Sequence, residues 1–235
     1  MQPEIEAEMK EVDSALSPFN KQSIITAINN NQKTSLNKKF TEVFNLAEKI
    51  SRETDGAFDI TVAPLVNEWG FGFKKGVDPS KHAIDSLRQI VGYQKVALKD
   101  GKIVKQDPRI NLDCSGVAKG YGSDCVANLL RRHGIENFMV EIGGEVVTSG
   151  INPDRVPWRI GVTKPVDDPT LQGGELQTVL NVTDKAMATS GNYRNFYYKG
   201  GKKYAHTIDP KTGYPVQHNI LSSTCLLYTS PSPRD

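Results

Sequence analysis

The chain has 235 residues, 37% of them hydrophobic and 24% charged, which suits one substantial core, or one core with a smaller lobe, and excludes a disordered or collagen-like chain. Its formal net charge of +2 comes without a basic stripe, which argues against nucleic acid or an anionic membrane surface as partner. No stretch approaches the ~20 apolar residues of a transmembrane helix, and the three cysteines, Cys114, Cys125 and Cys225, show neither CxxC spacing nor an even-numbered disulfide framework.

Met1-Gln2-Pro3-Glu4 lacks the charged and apolar regions of a signal peptide. Ile5, Met9, Val12 and Leu16 then recur at helical spacing, and Ser17-Pro18 closes that first helix. A polar Asn/Gln/Lys stretch follows, before Phe40, Val43, Phe44, Ala47 and Ile50 mark a second helix that should stop near Gly56. Residues 56–65 are too apolar for an exposed loop and too rich in Gly and Pro for a long regular element. Asp78-Pro79-Ser80 starts another helix, with Ile84, Leu87, Ile90 and Val91 as its stripe and Gly92 as its end.

Asp100-Gly101 between Val96-Ala97-Leu98 and Ile103-Val104 predicts a β-hairpin. Asn111-Leu112-Asp113 leads into a long helix ended by Gly134. Residues 138–148 read as strand broken by Gly143-Gly144; Trp158, Ile160 and Val162 alternate as another, and residues 179–182 as a third. Ala188-Thr189-Ser190-Gly191 reads as a small-residue turn. The class is α+β with largely antiparallel strands, and no clean linker divides it.

Four segments carry more polar chemistry among glycines than packing needs. In the first, Asp59 sits in an apolar run beside Phe58; it either satisfies turn amides or recognises a ligand whose planar ring Phe58 lines. In the second, Asp113 and Ser115 precede a helix as caps would, yet Gly116 and Gly120 in its first turns each cost ~1 kcal/mol against Ala. Glycine there suits a close-approaching ligand, a helix N-terminus suits phosphate, and Lys119 adds a charge. The third is residues 188–193, weak when taken alone. The fourth, His206-Thr207-Ile208-Asp209-Pro210-Lys211-Thr212-Gly213-Tyr214-Pro215, is rigid turn chemistry. Of four histidines, His82, His133 and His218 read as surface residues, and His206 is best placed for proton transfer.

In order and wording these segments, with Leu16-Ser17-Pro18-Phe19-Asn20 and Ser23, Pro64-Leu65, Trp69-Gly70, and Ile142-Gly143-Gly144-Glu145, resemble the FAD:protein FMN transferases, the ApbE family. The resemblance runs from about residue 4 to 224. It implies a T-fold-like domain over residues 1–224 and an Mg2+-dependent transfer of FMN from FAD to a threonine hydroxyl of a flavoprotein, such as a redox-pump subunit, with AMP released. It implies FAD contacts at Phe19, Ala57, Phe58, Asp59, Asp113, Lys119, Ser190, His206 and Thr207, a magnesium contact through the Gly116 carbonyl, and His206 as the base. It also implies an exported protein on the periplasmic side of the inner membrane.

Two departures qualify the expectation. The family's further magnesium ligands, an Asp and a Thr on an Ala-Asp-x-x-x-Thr stretch, have no match after the Asp-Pro-x-Thr-Gly turn, and the chain begins after the family's usual first strand. Residues 225–235 read as a foreign or disordered tail with the look of translated sequencing adapter. A fragment with an incomplete metal site and weak activity is therefore expected. The alternatives are a pyrophosphatase that splits FAD with water, or a flavin-binding protein without catalysis.

Overall fold

The computed structural model describes residues 1–73, 79–166, 175–193 and 195–227. Helices and antiparallel strands are largely segregated along the chain, as the α+β class requires, with helices prevailing up to Arg132 and strands from Phe138 on, in two compact units.

One unit takes Met1–Lys10, Gly116–Arg194 and Asn219–Asp235. Its sheet has the order β10-β7-β4-β3, with β3 Phe138–Ile142, β4 Glu145–Ser149, β7 Ala186–Gly191 and β10 Ser222–Leu227, and every neighbouring pair antiparallel. Gly143 (φ 59°) and Gly144 (φ 95°) form the tight connection between β3 and β4, so the break read in the sequence is a hairpin turn. Val126, Ala127, Phe138, Val140, Val147 and Ala186 make the core between the sheet and α6 (Ser115–Arg132), and Ile5 and Met9 of α1 (Gln2–Leu16) pack against it. A second hairpin, β5 (Trp158–Thr163) with β6 (Leu176–Val182), buries Ile160 and Val182 with Val146 and Met187.

The other unit takes Glu11–Ser115 and Asn195–His218. It holds α2 (Ile24–Asn29), α3 (Lys38–Glu53), α4 (Ala63–Glu68), α5 (Lys81–Arg88), the hairpin β1 (Val96–Lys99) with β2 (Lys102–Lys105), and the hairpin β8 (Phe196–Lys199) with β9 (Lys202–Ala205). Asp100 (φ 49°) and Gly101 (φ 69°) are both left-handed, as the predicted turn requires. Phe40 and Phe44, buried and stacked at 6.2 Å, anchor α3, while Leu65, Trp69, Ile84, Val91 and Ile208 form a separate cluster.

Several expectations need correcting. The polar stretch after Pro18 contains α2: Ser23 caps it by accepting from Thr26 N at 3.2 Å, and Ile25 and Ile28 are buried beneath otherwise polar neighbours. Within residues 56–65 the chain turns and then starts α4, with Pro64 in the first turn, where its missing N–H costs nothing. Residues 188–191 are strand, not turn: Ala188, Thr189, Ser190 and Gly191 pair with Cys225, Thr224, Ser223 and Ser222. Small side chains there mimic turn composition, while pairing to β10 supplies the order. The boundary placed after Thr224 falls inside β10, since pairing continues to Leu227↔Ala186; residues 228–235 lie outside those described. Ser80 caps α5 as expected, and Asp78 lies outside the described residues.

Candidate active site

The expected site residues divide between the units, and each set has its own construction. Phe19 lies in the loop after α1, 78% exposed, with its ring edge-on to Phe73 at 5.3 Å. The loop is held locally: Asn20 Nδ2 donates to Asp13 Oδ2 at 2.6 Å, and Ser23 Oγ donates to the Ser17 carbonyl at 2.7 Å. This explains the Ser-Pro-Phe-Asn…Ser pattern: the polar residues fix a turn that leaves an aromatic in solvent.

Ala57 is exposed and Phe58 half-buried, but Asp59 turns inward. Its Oδ1 accepts from Thr61 N (2.8 Å) and Thr61 Oγ1 (2.7 Å), and its Oδ2 accepts from Tyr93 N (2.7 Å). Burial pushes its carboxyl above the ordinary value, partly offset by these hydrogen bonds and by the charge of Lys95. Of the two roles open to Asp59, the geometry is that of a pin joining the 56–65 segment to the start of the 93–95 turn. Asp113 stands beside it, with Asp113 N donating to the Ile60 carbonyl at 2.7 Å and Asp113 Oδ1 accepting from Ser115 N at 2.7 Å.

His206 follows β9. Its backbone N–H donates to the Asn195 carbonyl at 3.1 Å, and its ring Nδ1 lies 3.2 Å from the same oxygen. A carbonyl only accepts, so Nδ1 carries the proton and Nε2 is the basic nitrogen. Phe71 meets the imidazole edge-on at 6.5 Å, and a run of ring contacts continues through Tyr197 and Tyr204 to Trp69 and Tyr214. Thr207 is exposed, its carbonyl accepting from Val216 N at 3.0 Å.

The turn after His206 is closed by Asp209, whose oxygens accept from Lys211 N (2.9 Å) and Thr212 Oγ1 (2.9 Å). It is then fastened from three sides, by Trp69 Nε1 to the Gly213 carbonyl (2.7 Å), Arg88 Nε to the Lys211 carbonyl (2.9 Å), and Lys211 Nζ to Asp55 Oδ2 (2.7 Å). Two segments over 140 positions apart, the one around Gly56 and the one around Gly213, are thus brought together.

In the other unit, Lys119 projects from α6 and its Nζ lies 2.8 Å from Glu145 Oε1 on β4. Gly116 and Gly120 occupy the first turns of the same helix, Gly120 being buried. Ser190 is exposed on β7. Cys114 is fully buried and its thiol is pushed up to about 12, by desolvation first and by the Asp113 charge second, which removes it as a nucleophile. Sequence reasoning gave no part to Trp69 or Glu145 beyond quoting them; Trp69 in a Gly-rich stretch and an acid directly after Gly-Gly were the available signals. The Asn195 carbonyl is a backbone group and left none.

A metal fits less well. Gly116 offers one carbonyl oxygen, and among the described residues no group of three or more His, Cys, Asp or Glu side chains gathers to hold a cation. No helix among the described residues is long and apolar enough to cross a membrane.

A model of the ApbE family matches residues 1–232. A Vibrio cholerae protein named FAD:protein FMN transferase is 37% identical over 231 residues, 96% of this chain and 68% of the relative. The solved structure of a flavin transferase ApbE from Vibrio cholerae superposes with a TM-score of 0.85 at 36% identity, covering 97% of this chain and 73% of that one. The apo form of a Pseudomonas stutzeri flavinyl transferase ApbE gives 0.84 at 29% identity, covering 97% and 71%.

Proposed function

The chain belongs to the ApbE family, and we propose on that premise that it transfers FMN from FAD to the hydroxyl of a threonine on a protein acceptor, with release of AMP. The threonine oxygen attacks the FMN phosphorus as the bond from that phosphorus to the bridging oxygen breaks. The hydroxyl proton passes to His206 Nε2, and AMP leaves with the bridging oxygen. The observation that carries this reading is the 3.2 Å approach of His206 Nδ1 to the Asn195 carbonyl, which fits a proton on Nδ1 and a basic Nε2.

The FAD contacts proposed in the His206 unit are Phe19, Ala57, Phe58, Asp113 and Thr207, with the exposed Phe19 ring suited to a planar flavin. Asp59 acts there through the backbone it holds. In the other unit Lys119 is the proposed phosphate contact and Ser190 a polar one. Magnesium, when bound, supplies charge neutralisation at the diphosphate, and the Gly116 carbonyl is the proposed protein donor. Among the described residues no cluster of His, Cys, Asp or Glu side chains completes such a site.

The test incubates the chain with FAD, Mg2+ and a threonine peptide and reads the peptide by mass spectrometry. Transfer adds the FMN mass, hydrolysis yields free FMN and AMP with the peptide unchanged, and binding alone leaves FAD whole. His206→Ala should lower the transfer rate by roughly 10²–10⁴-fold, far more than it lowers FAD affinity. Equal rates in the two proteins would remove His206 as base.

A further inference from the structure

No step of the proposed transfer uses the Ile142-Gly143-Gly144-Glu145 turn, yet it is built around the Lys119 side chain. The Glu145 carboxylate is 3% exposed while its partner lysine remains 45% exposed, so the pair is buried at one end and open at the other. Lys119 Nζ also lies 3.4 Å from the Gly143 carbonyl. The lysine stem crosses the turn so closely that a Cβ on Gly143 would sit 2.8 Å from Lys119 Cδ, at a φ of +59° that already favours glycine. Beneath them, Ser123 Oγ lies 3.2 Å from both the Lys119 and the Glu145 carbonyls, joining α6 to β4 at that level.

As a stabilising device this arrangement is poor. Burying a carboxylate is costly, and a half-exposed lysine returns little of that cost through solvent. The adjoining β4 positions Val146 and Val147 are apolar and buried, so an apolar side chain is the expected occupant if packing alone mattered. What the carboxylate does supply is direction. Lysine is a flexible cation with three donors; Glu145 and Gly143 engage two of them, and the lysine side chain stays open to solvent.

We propose that Glu145 is a positioning residue, holding the Lys119 ammonium across Gly143 in the pose that receives a phosphate of the bound dinucleotide. This rests on the flavin-transfer reading, because it takes FAD as the ligand. Ordering the lysine before binding lowers the conformational cost of the complex, so the effect falls on affinity for phosphorylated ligands and not on the chemical step.

The experiment measures binding of FAD and of riboflavin, which has no phosphate, by flavin fluorescence, together with the melting temperature and the transfer kinetics. Glu145→Gln keeps the size and removes the charge. It should weaken FAD binding roughly ten- to a hundredfold, raise KM correspondingly, and leave riboflavin binding and saturating kcat near wild type. Lys119→Gln should give the same loss, and the double variant no further loss. Exchanging the two residues, Lys119→Glu with Glu145→Lys, should restore the melting temperature but not FAD affinity. Unchanged FAD binding in both single variants, equal losses of FAD and riboflavin, or full recovery of FAD affinity on exchange would each overturn the inference alone. A wild-type chain that binds neither flavin would instead remove the flavin-transfer reading, and this inference with it.

Discussion

Trp69 Nε1 donates a 2.7 Å hydrogen bond to the carbonyl oxygen of Gly213, tying the end of α4 to the turn that follows His206. The indole is 6% exposed and stacks on Tyr204 at 5.6 Å, so the bond is made out of water and inside an aromatic cluster. Gly213 N also donates to the Asp209 carbonyl at 2.8 Å, so the indole is one of the three anchors of the closed Asp-Pro-x-Thr-Gly turn, with Arg88 and the Lys211–Asp55 pair.

Trp69→Phe keeps an aromatic ring in the cluster but leaves the buried Gly213 carbonyl without its donor. It should cost about 1–3 kcal/mol of stability, read as a lower urea midpoint. Flavin transfer should fall more than FAD affinity does, because the loosened turn directly follows His206, the proposed base. An unchanged midpoint would show that the bond contributes nothing to the fold.

Gly213 and Gly101 both have left-handed backbones, with φ of +78° and +69°, but a Cβ would meet very different surroundings. At Gly101 there is nothing within 4 Å, whereas at Gly213 the Cβ would lie 2.8 Å from Ile84 Cγ2 and 2.9 Å from Arg88 Cγ. Gly101→Ala should therefore cost only the conformational strain, about 1–2 kcal/mol, and Gly213→Ala distinctly more. Thermal unfolding of the two variants side by side checks the order.

The sequence showed most of what is local. Helix α3 was legible from Phe40, Phe44 and Ala47 at helical spacing, the β1–β2 turn from Asp100-Gly101, and the end of α6 from Gly134 (φ 72°). What was not legible depends on distant partners. β7 looks like a turn until β10 pairs with it, and the β8–β9 hairpin hides among tyrosines and lysines around Gly200-Gly201. At the site, His206 could be singled out by its turn, but its tautomer comes from a backbone oxygen 11 positions earlier. Asp59 drew attention as an acid among apolar residues, and only the positions of Thr61 and Tyr93 show that it holds backbone.

The cysteines offer a simple check of burial. None of the three is in a disulfide, with Cys114 and Cys125 buried and Cys225 exposed on β10. A thiol reagent at neutral pH should modify one cysteine in the native protein, Cys225, and all three after denaturation. Cys114, pushed up to about 12, should stay unmodified in the native state even at mildly alkaline pH. Rapid native labelling at Cys114 would contradict its placement.

Asp59 gives a pH dependence whose sign follows from its burial. Its carboxyl is raised above the ordinary 3.8, so between that value and its folded-state pKa the native protein binds more protons than the unfolded chain. The stability it contributes is fully present below 3.8 and is lost as pH rises through the folded-state value. Asparagine has no such titration. In its place, one face of the amide can accept from Thr61, but the other sets a donor against Tyr93 N–H, where Asp59 Oδ2 now accepts at 2.7 Å. Asp59→Asn should thus be less stable by about 1–3 kcal/mol at neutral pH. Its deficit against wild type should widen as pH falls toward 3.8 and level off above the folded-state pKa. Urea unfolding of both proteins in steps from acid to neutral pH measures that difference. A deficit that shrinks on acidification would mean that the hydrogen bonds from Thr61 and Tyr93, not desolvation, dominate the carboxyl's ionisation.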